Sequence, residues 1–331
     1  MSHEVGDRAS SGRGDIAQSL EGAADRSGEG AAPTWSGEGG VADWSGEGPE
    51  LTRIAVFGGV YSNHLALEAA IADAGSRDVD AILCLGDLGA FGPNPDKVFP
   101  LLRDHRIPVV RGNYDDSIAR GLDDCQCGYT DPRDNHYARL SYRYTYRKTS
   151  PENRAWMGAF PRELRFRLGG RRVLAFHGSP RQTNEFLWES TTPTHFLDKL
   201  ARDHATDVLL GTHTGIHWSR SWKPGEVHGP SGAGKQRQDE AAEAGARTYV
   251  NVGALGRPAN DGRTEVWYAL LDGSGEDVQV DFVPVGYDHR ALAEEMRSEE
   301  LPEEFVETIL TGWWTTCLEI LPGKERAAGR F

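Results

Sequence analysis

The chain is short of cysteine, of positive charge and of long apolar runs, and each shortage removes a class of protein. Four cysteines in 331 residues (Cys84, Cys125, Cys127, Cys317) are too few for a disulfide-stapled scaffold. A reducing, cytoplasmic compartment is therefore the expectation. No apolar run nears the roughly 18 to 20 residues of a membrane-spanning helix, so no membrane partner is expected. The opening residues, Met-Ser-His-Glu-Val-Gly, lack the apolar stretch of a secretory signal. Lys and Arg number 36 against 50 Asp and Glu, a net charge of −14. A large nucleic-acid surface would be basic instead.

The missing positive charge is unevenly distributed. Residues 1–50 carry ten acidic and three basic side chains and almost no Leu, Ile, Val or Phe. With so little to bury, nothing offsets the entropy of ordering them, and a disordered acidic Gly/Ser-rich arm is expected. A Ser-Gly-Glu-Gly repeat starts at Ser27, Ser36 and Ser45, with Trp35 and Trp44 before two copies. It reads as duplicated low-complexity sequence, with an aromatic docking motif as the alternative. Residues 287–331 carry ten acidic and five basic side chains and read as a helical extension. Asp288 can cap a first helix and Pro302 suits the first turn of a second. Its apolar end, Trp313, Trp314, Cys317 and Leu318, must pack on something. The body is the plainer partner, and a second copy forming a homo-oligomer is the alternative.

The middle, residues 51–286, is left near neutral and alternates strand with helix. Arg53–Phe57 is an apolar strand, and Ser62 or Asn63 then caps a helix ending at Gly75. Asp80–Leu85 and Ile107–Val110 are further strands, with a helix near Asp96–His105 between them. This order predicts a parallel sheet. Arg172–Phe176, Asp207–Leu210 and Thr248–Asn251 follow, then a hairpin of Thr264–Asp272 with Val278–Val285.

Polar residues stand repeatedly just past these strands: Gly86-Asp87, Gly112-Asn113, His177-Gly178 and His213. Ligands bind at that edge of open α/β sheets. One carboxylate, one amide oxygen and two imidazoles suit a divalent ion. A lone strand-end Asp or His is ordinarily a cap; four in order make a site.

Four segments carry a resemblance: Leu85-Gly-Asp-Leu-Gly-Ala-Phe-Gly-Pro-Asn-Pro95, Val110-Arg-Gly-Asn-Tyr-Asp115, Phe176-His-Gly-Ser-Pro-Arg181 with Asn184-Glu-Phe-Leu187, and Asn251-Val-Gly-Ala-Leu-Gly-Arg-Pro258. In this order they resemble the motifs of calcineurin-like metallophosphoesterases, above all the small stand-alone bacterial and archaeal branch. The resemblance covers about residues 53–285. It implies an α/β fold, a four-layer α-β-β-α sandwich with the metal site at one end of the sheets. It also implies metal-dependent hydrolysis of a phosphate ester on a small-molecule or phosphorylated substrate.

Against that family pattern, several residues are replaced. The family's Asp-x-His falls on Gly59-Val60-Tyr61, and the second histidine of its Gly-His-x-His falls on Gly215. In the family those three positions serve only one of two metals. The ligands of the other metal persist as Asp87, Asn113, His177 and His213. So clean a division implies one ion, Mn, Fe or Zn, rather than two. His64 and His217 lie near the lost positions and offer a route back to a second ion; loop histidines are the plainer reading. The family's Gly-Asn-His-Asp histidine is Tyr114 here. A neutral phenol with a pKa near 10 donates a hydrogen bond but is no cation at pH 7. Ordinary phosphodiester hydrolysis should be slower, or replaced. Tyr114, Asp115 and Arg111 are the candidate catalytic or substrate-facing groups, with Arg181 and Asn63 as candidate substrate contacts. Arg111 and Arg181 can neutralise a phosphate or carboxylate, or equally serve as structural salt-bridge partners. The alternatives are a regulatory module that binds without turnover and a mononuclear metalloenzyme with non-phosphate chemistry.

Cys125-Gln-Cys127 reads as a buried loop, with a soft-metal or redox pair as the alternative. Cys84 lies in a strand and reads as core. Gly229-Pro-Ser-Gly-Ala-Gly-Lys235 has P-loop spacing but no preceding apolar strand, and Gln236 follows. Residues 223–246 read as a flexible insertion.

Overall fold

In the computed structural model, residues 44–224, 227 and 245–330 are described, with the backbone alone at 36–37 and 40–41. The strands are β1 (Glu50–Leu51), β2 (Arg53–Phe57), β3 (Ala81–Cys84), β4 (Glu163–Leu168), β5 (Arg171–Phe176), β6 (Val208–Gly211), β7 (His217–Trp222), β8 (Arg247–Val252), β9 (Val266–Asp272) and β10 (Gln279–Val285). The helices are α1 (His64–Gly75), α2 (Val98–Asp104), α3 (Asn113–Arg120), α4 (Pro132–Lys148), α5 (Pro151–Gly158), α6 (Thr194–Asp203), α7 (His289–Ser298), α8 (Glu303–Thr311) and α9 (Gly323–Ala328).

Side-chain alternation sets the layers. Four consecutive residues of β2, Ile54 to Phe57, are fully buried, so the strand needs cover on both faces. Ile54 and Val56 share a core with Phe166, Val173, Ala175, Val208 and Val250 of the other sheet. Ala55 and Phe57 face Leu67, Ala70 and Ile71 of α1 and Phe99 of α2. On the far side, Leu174, Phe176 and Leu209 meet Leu197 and Leu200 of α6. The four-stranded sheet runs β10-β9-β2-β3 and the six-stranded sheet β1-β4-β5-β6-β8-β7. This is the expected α-β-β-α sandwich. Among the described residues no helix is long and apolar enough to cross a membrane.

The expectation of a simple parallel sheet needs correction. Parallel pairing is limited to β2–β3, β5–β6, β6–β8 and β1–β4; the other pairs are antiparallel. The expected strand at Ile107–Val110 shrinks to a single bridge, Cys84 with Val109. Pro108 has no N–H to continue a ladder.

The body also begins earlier than Leu51. Trp44 is buried and packs edge-on against Phe166 at 5.4 Å. The rest of the arm, its Trp35 repeat and most of the 223–246 segment lie outside the described residues. The C-terminal extension packs on the body. Leu292, Met296, Phe305 and Ile309 cluster around Tyr144 of α4, and Trp314 is buried beside Trp188 and Leu321. Asp134 of α4 accepts the backbone N–H of Cys317 at 2.7 Å and of Glu319 at 2.8 Å, which ties the tail in place.

Candidate metal centre

Each expected ligand leaves the end of an apolar element. Asp87 lies in the loop after β3, Asn113 opens α3, His177 follows β5 directly, and His213 lies two residues beyond β6. Asp87 and His213 adopt φ of 54° and 72°, a left-handed backbone that a non-glycine residue keeps only where its surroundings demand it. Asp115 imposes it on the Asp87 loop. Its carboxylate accepts the N–H of Asp87 at 2.8 Å, Leu88 at 3.1 Å and Gly112 at 2.8 Å. A Cβ on Gly112 would run into the Asp87 carboxylate, so only glycine fits there. Burial, and then the neighbouring Asp87 charge, push the Asp115 carboxyl up to about 6.

Asp87, His177 and His213 are buried and place their ligand atoms within 4.8 Å of one another. His177 Nε2 stands 3.2 Å from Asp87 Oδ2 and 3.1 Å from His213 Nδ1. His177 Nδ1 lies 2.6 Å from the Leu85 carbonyl. That oxygen only accepts, so Nδ1 carries the proton and Nε2 is free to ligate. Burial opposes charge on both partners, yet their pairing keeps Asp87 below and His177 above the ordinary values. Burial, reinforced by His177, drives His213 down to about 3 and keeps it neutral.

Asn113 is the fourth expected ligand. Its Nδ2 donates to the Cys125 carbonyl at 2.7 Å and lies 3.4 Å from Cys127 Sγ. Its Oδ1 is buried with no hydrogen-bond partner among the described residues. A buried carbonyl oxygen left unpaired is costly, and here it belongs to a residue placed as a ligand. The residues present thus fit one divalent ion, with two imidazole nitrogens, a carboxylate and an amide oxygen. Cys125 and Cys127 form a disulfide in the loop that orients Asn113.

Aromatic rings stand beside Gly59 and Gly215, where the family pattern would place further ligands. A Cβ on Gly59 would meet the Tyr61 ring at 2.5 Å, and one on Gly215 the Trp314 indole at 3.0 Å. His64 pairs with Glu295 at 3.4 Å. His217 packs against Trp267 and Phe282. Neither belongs to the ligand cluster among the described residues.

Several expected site residues have other partners. Arg111 donates to the carbonyls of Phe160 and Gly158, both at 2.8 Å, and pairs with Asp116 at 3.2 Å. Its donors hold the end of α5. Arg181 pairs with Glu185 and lies over the Phe196 ring at 4.8 Å. Asn63 caps α1 through Ala66 N–H at 3.0 Å, and its Nδ2 donates to the Gly256 carbonyl at 3.2 Å. It holds the Gly256 loop against the start of α1. Tyr114 does line the cleft. Its N–H donates to Asp87 Oδ1 at 3.0 Å, and its hydroxyl shares a hydrogen bond with Ser141 at 3.0 Å.

The cation that lines the cleft is Arg257, which sequence reasoning did not single out. The cleft encloses about 510 Å³, part of it open to solvent, and brings Asp87, His213 and Arg257 together with Tyr61, Tyr129 and Trp314. Arg257 is only 5% exposed. Its Cζ lies 4.0 Å from the Trp314 ring centre and 4.8 Å from that of Phe91. Two such stacks are worth about 0.5–2 kcal/mol each. Removing a guanidinium from water costs several kcal/mol, so stacking alone does not offset its burial. The only hint in the sequence was a Gly-Arg-Pro just past a strand end.

The comparisons agree with this architecture. The calcineurin-like phosphoesterase superfamily domain matches residues 53–276. An uncharacterized protein of Methanocaldococcus jannaschii, MJ0912, is 26% identical over 260 residues, 78% of this chain and 98% of its own length. The crystal structure of a metallophosphoesterase from Sphaerobacter thermophilus superposes with a TM-score of 0.57 at 25% identity, covering 79% of this chain and 99% of that one. A hypothetical protein from Pyrococcus horikoshii, PH1004, shares the fold with a TM-score of 0.62 at 19% identity, over 80% and 99% of the two chains. With the sandwich, the ordered strand-end ligands and a domain match over more than half its length, the chain belongs to the calcineurin-like phosphoesterase superfamily.

Proposed function

We propose that this chain hydrolyses phosphate esters with one divalent ion, held by Asp87, Asn113, His177 and His213. The observation that carries the reading is the convergence of the Asp87, His177 and His213 ligand atoms, within 4.8 Å of one another; the buried, unpartnered Asn113 Oδ1 supports it. When bound, such an ion polarises a phosphoryl oxygen and lowers the pKa of a coordinated water. The chain's own residues prepare the place. The Leu85 carbonyl fixes the His177 tautomer, Asp115 holds the Asp87 loop, and the Cys125 carbonyl turns Asn113 Oδ1 away from itself. One ion rather than two is supported by the aromatic rings of Tyr61 and Trp314 beside Gly59 and Gly215.

A second reading, a ligand-binding module without turnover, draws on Tyr114. Its hydroxyl is buried and engaged by Ser141, and burial raises its pKa well above the ordinary value. It is therefore a poor proton donor to a leaving group. A panel of phosphomonoesters and phosphodiesters assayed with Mn, Fe, Zn and Mg separates the readings. Metal-dependent hydrolysis, read as phosphate from a monoester or alcohol from a diester, that vanishes in Asp87→Ala supports the reading. Metal binding without hydrolysis of any of them would contradict it.

A further inference from the structure

We infer that Arg257 forms an oxyanion site beside the metal ligands and takes the phosphoryl oxygens of the substrate. The inference rests on the one-ion reading. Arg257 Nη2 donates to the Thr316 carbonyl at 2.9 Å. Among the described residues no carboxylate lies within ion-pair distance of it. Asp134, the acid that acts on it from α4, is committed to the Cys317 and Glu319 amides. The remaining groups acting on the guanidinium are the Cys317 thiol and the Tyr129 and Tyr61 hydroxyls, groups that carry no charge at pH 7.

A buried cation with no carboxylate in contact with it calls for an anion. Arg257 shares its cleft with Asp87 and His213, so an anion held by Arg257 would lie in the cleft that these two residues line. The guanidinium fork matches a tetrahedral oxyanion in shape as well as charge. Its seat is fixed on two sides: Phe91 and Trp314 flank the plane, and Asn63 holds the preceding Gly256 carbonyl at 3.2 Å.

The test is calorimetric titration of the full-length, Mn-loaded protein with inorganic phosphate, with ion content measured on the same samples. Wild type should bind phosphate. Arg257→Gln should bind it at least tenfold more weakly at unchanged ion content, with Arg257→Lys in between. Acetate should not match phosphate. Equal phosphate affinity in folded Arg257→Gln, or no phosphate binding by wild type, overturns the proposal. Should the variants fail to fold, a crystal structure of the wild type with phosphate decides. An oxygen within hydrogen-bond distance of the guanidinium is expected; phosphate elsewhere overturns the site. An ion content other than one per chain refutes the one-ion reading alone, and the Arg257→Gln result would still be read on its own.

Discussion

The indole of Trp314 stands over Gly215: a Cβ at residue 215 would meet Cη2 of the ring at 3.0 Å, on a backbone with φ of +79°. The C-terminal extension thereby closes the end of the sandwich where a further ligand would have to reach in. Any side chain at 215 must both adopt a left-handed backbone, at about 1–2 kcal/mol, and crowd a packed ring that would have to give by a few tenths of an ångström.

Gly215→Ala should therefore lower stability by about 2–5 kcal/mol, the sum of about 1–2 for the backbone and about 1–3 for crowding the ring. Urea denaturation followed by tryptophan fluorescence measures it. Gly215→His should carry the same penalty and leave ion content unchanged.

Arg111 gives a contrasting case. Its guanidinium serves the Phe160 and Gly158 carbonyls and Asp116. Arg111→Gln should cost about 1–3 kcal/mol, because it strips charged donors from half-buried acceptors. Ion content and phosphate affinity should not change. A tenfold loss of phosphate affinity at unchanged stability would return Arg111 to the site.

His217 supplies a pH dependence away from the ligands. Burial, set against Asp261 and aided by Arg263, pushes its pKa down to about 4. The unfolded chain, with an ordinary pKa near 6.5, takes up the proton first. The stability tied to neutral His217 is complete above pH 6.5 and is lost as the pH falls toward 4. The ring is partly exposed, so the expected loss is about 2 kcal/mol rather than the full shift. His217→Gln should remove that part of the acid sensitivity, measured as the difference in unfolding free energy between pH 7 and pH 4.

The layers and the clustering of Asp87, His177 and His213 were legible because both follow short apolar runs. Ile54–Phe57, Ile82–Cys84, Val173–Phe176 and Val208–Leu210 are buried on both faces, so they read as continuous hydrophobic strands with a polar residue just past the end. Helix α4 was not legible. Its packed side is built from Ala138, Ser141, Tyr142 and Thr145, which show no aliphatic period. Strand β7, with Trp218 and Trp222 as its buried side chains, likewise lacks an aliphatic run. Arg257 escaped notice for a different reason. Its importance lies in what surrounds it, Phe91 from an early loop and Trp314 from the tail, and in the lack of a nearby carboxylate partner. Neither is written in the local sequence. The carbonyl partners of Asn63 and Arg111 were hidden for the same reason: Gly256 and Phe160 come from loops distant in the chain.

The ion count of the purified full-length protein tests the account most directly. Elemental mass spectrometry after loading with Mn, Fe or Zn should give one ion per chain for wild type, and none for Asp87→Ala or His177→Ala that remain folded by circular dichroism. Two ions per chain, or one ion retained in both variants, would contradict it.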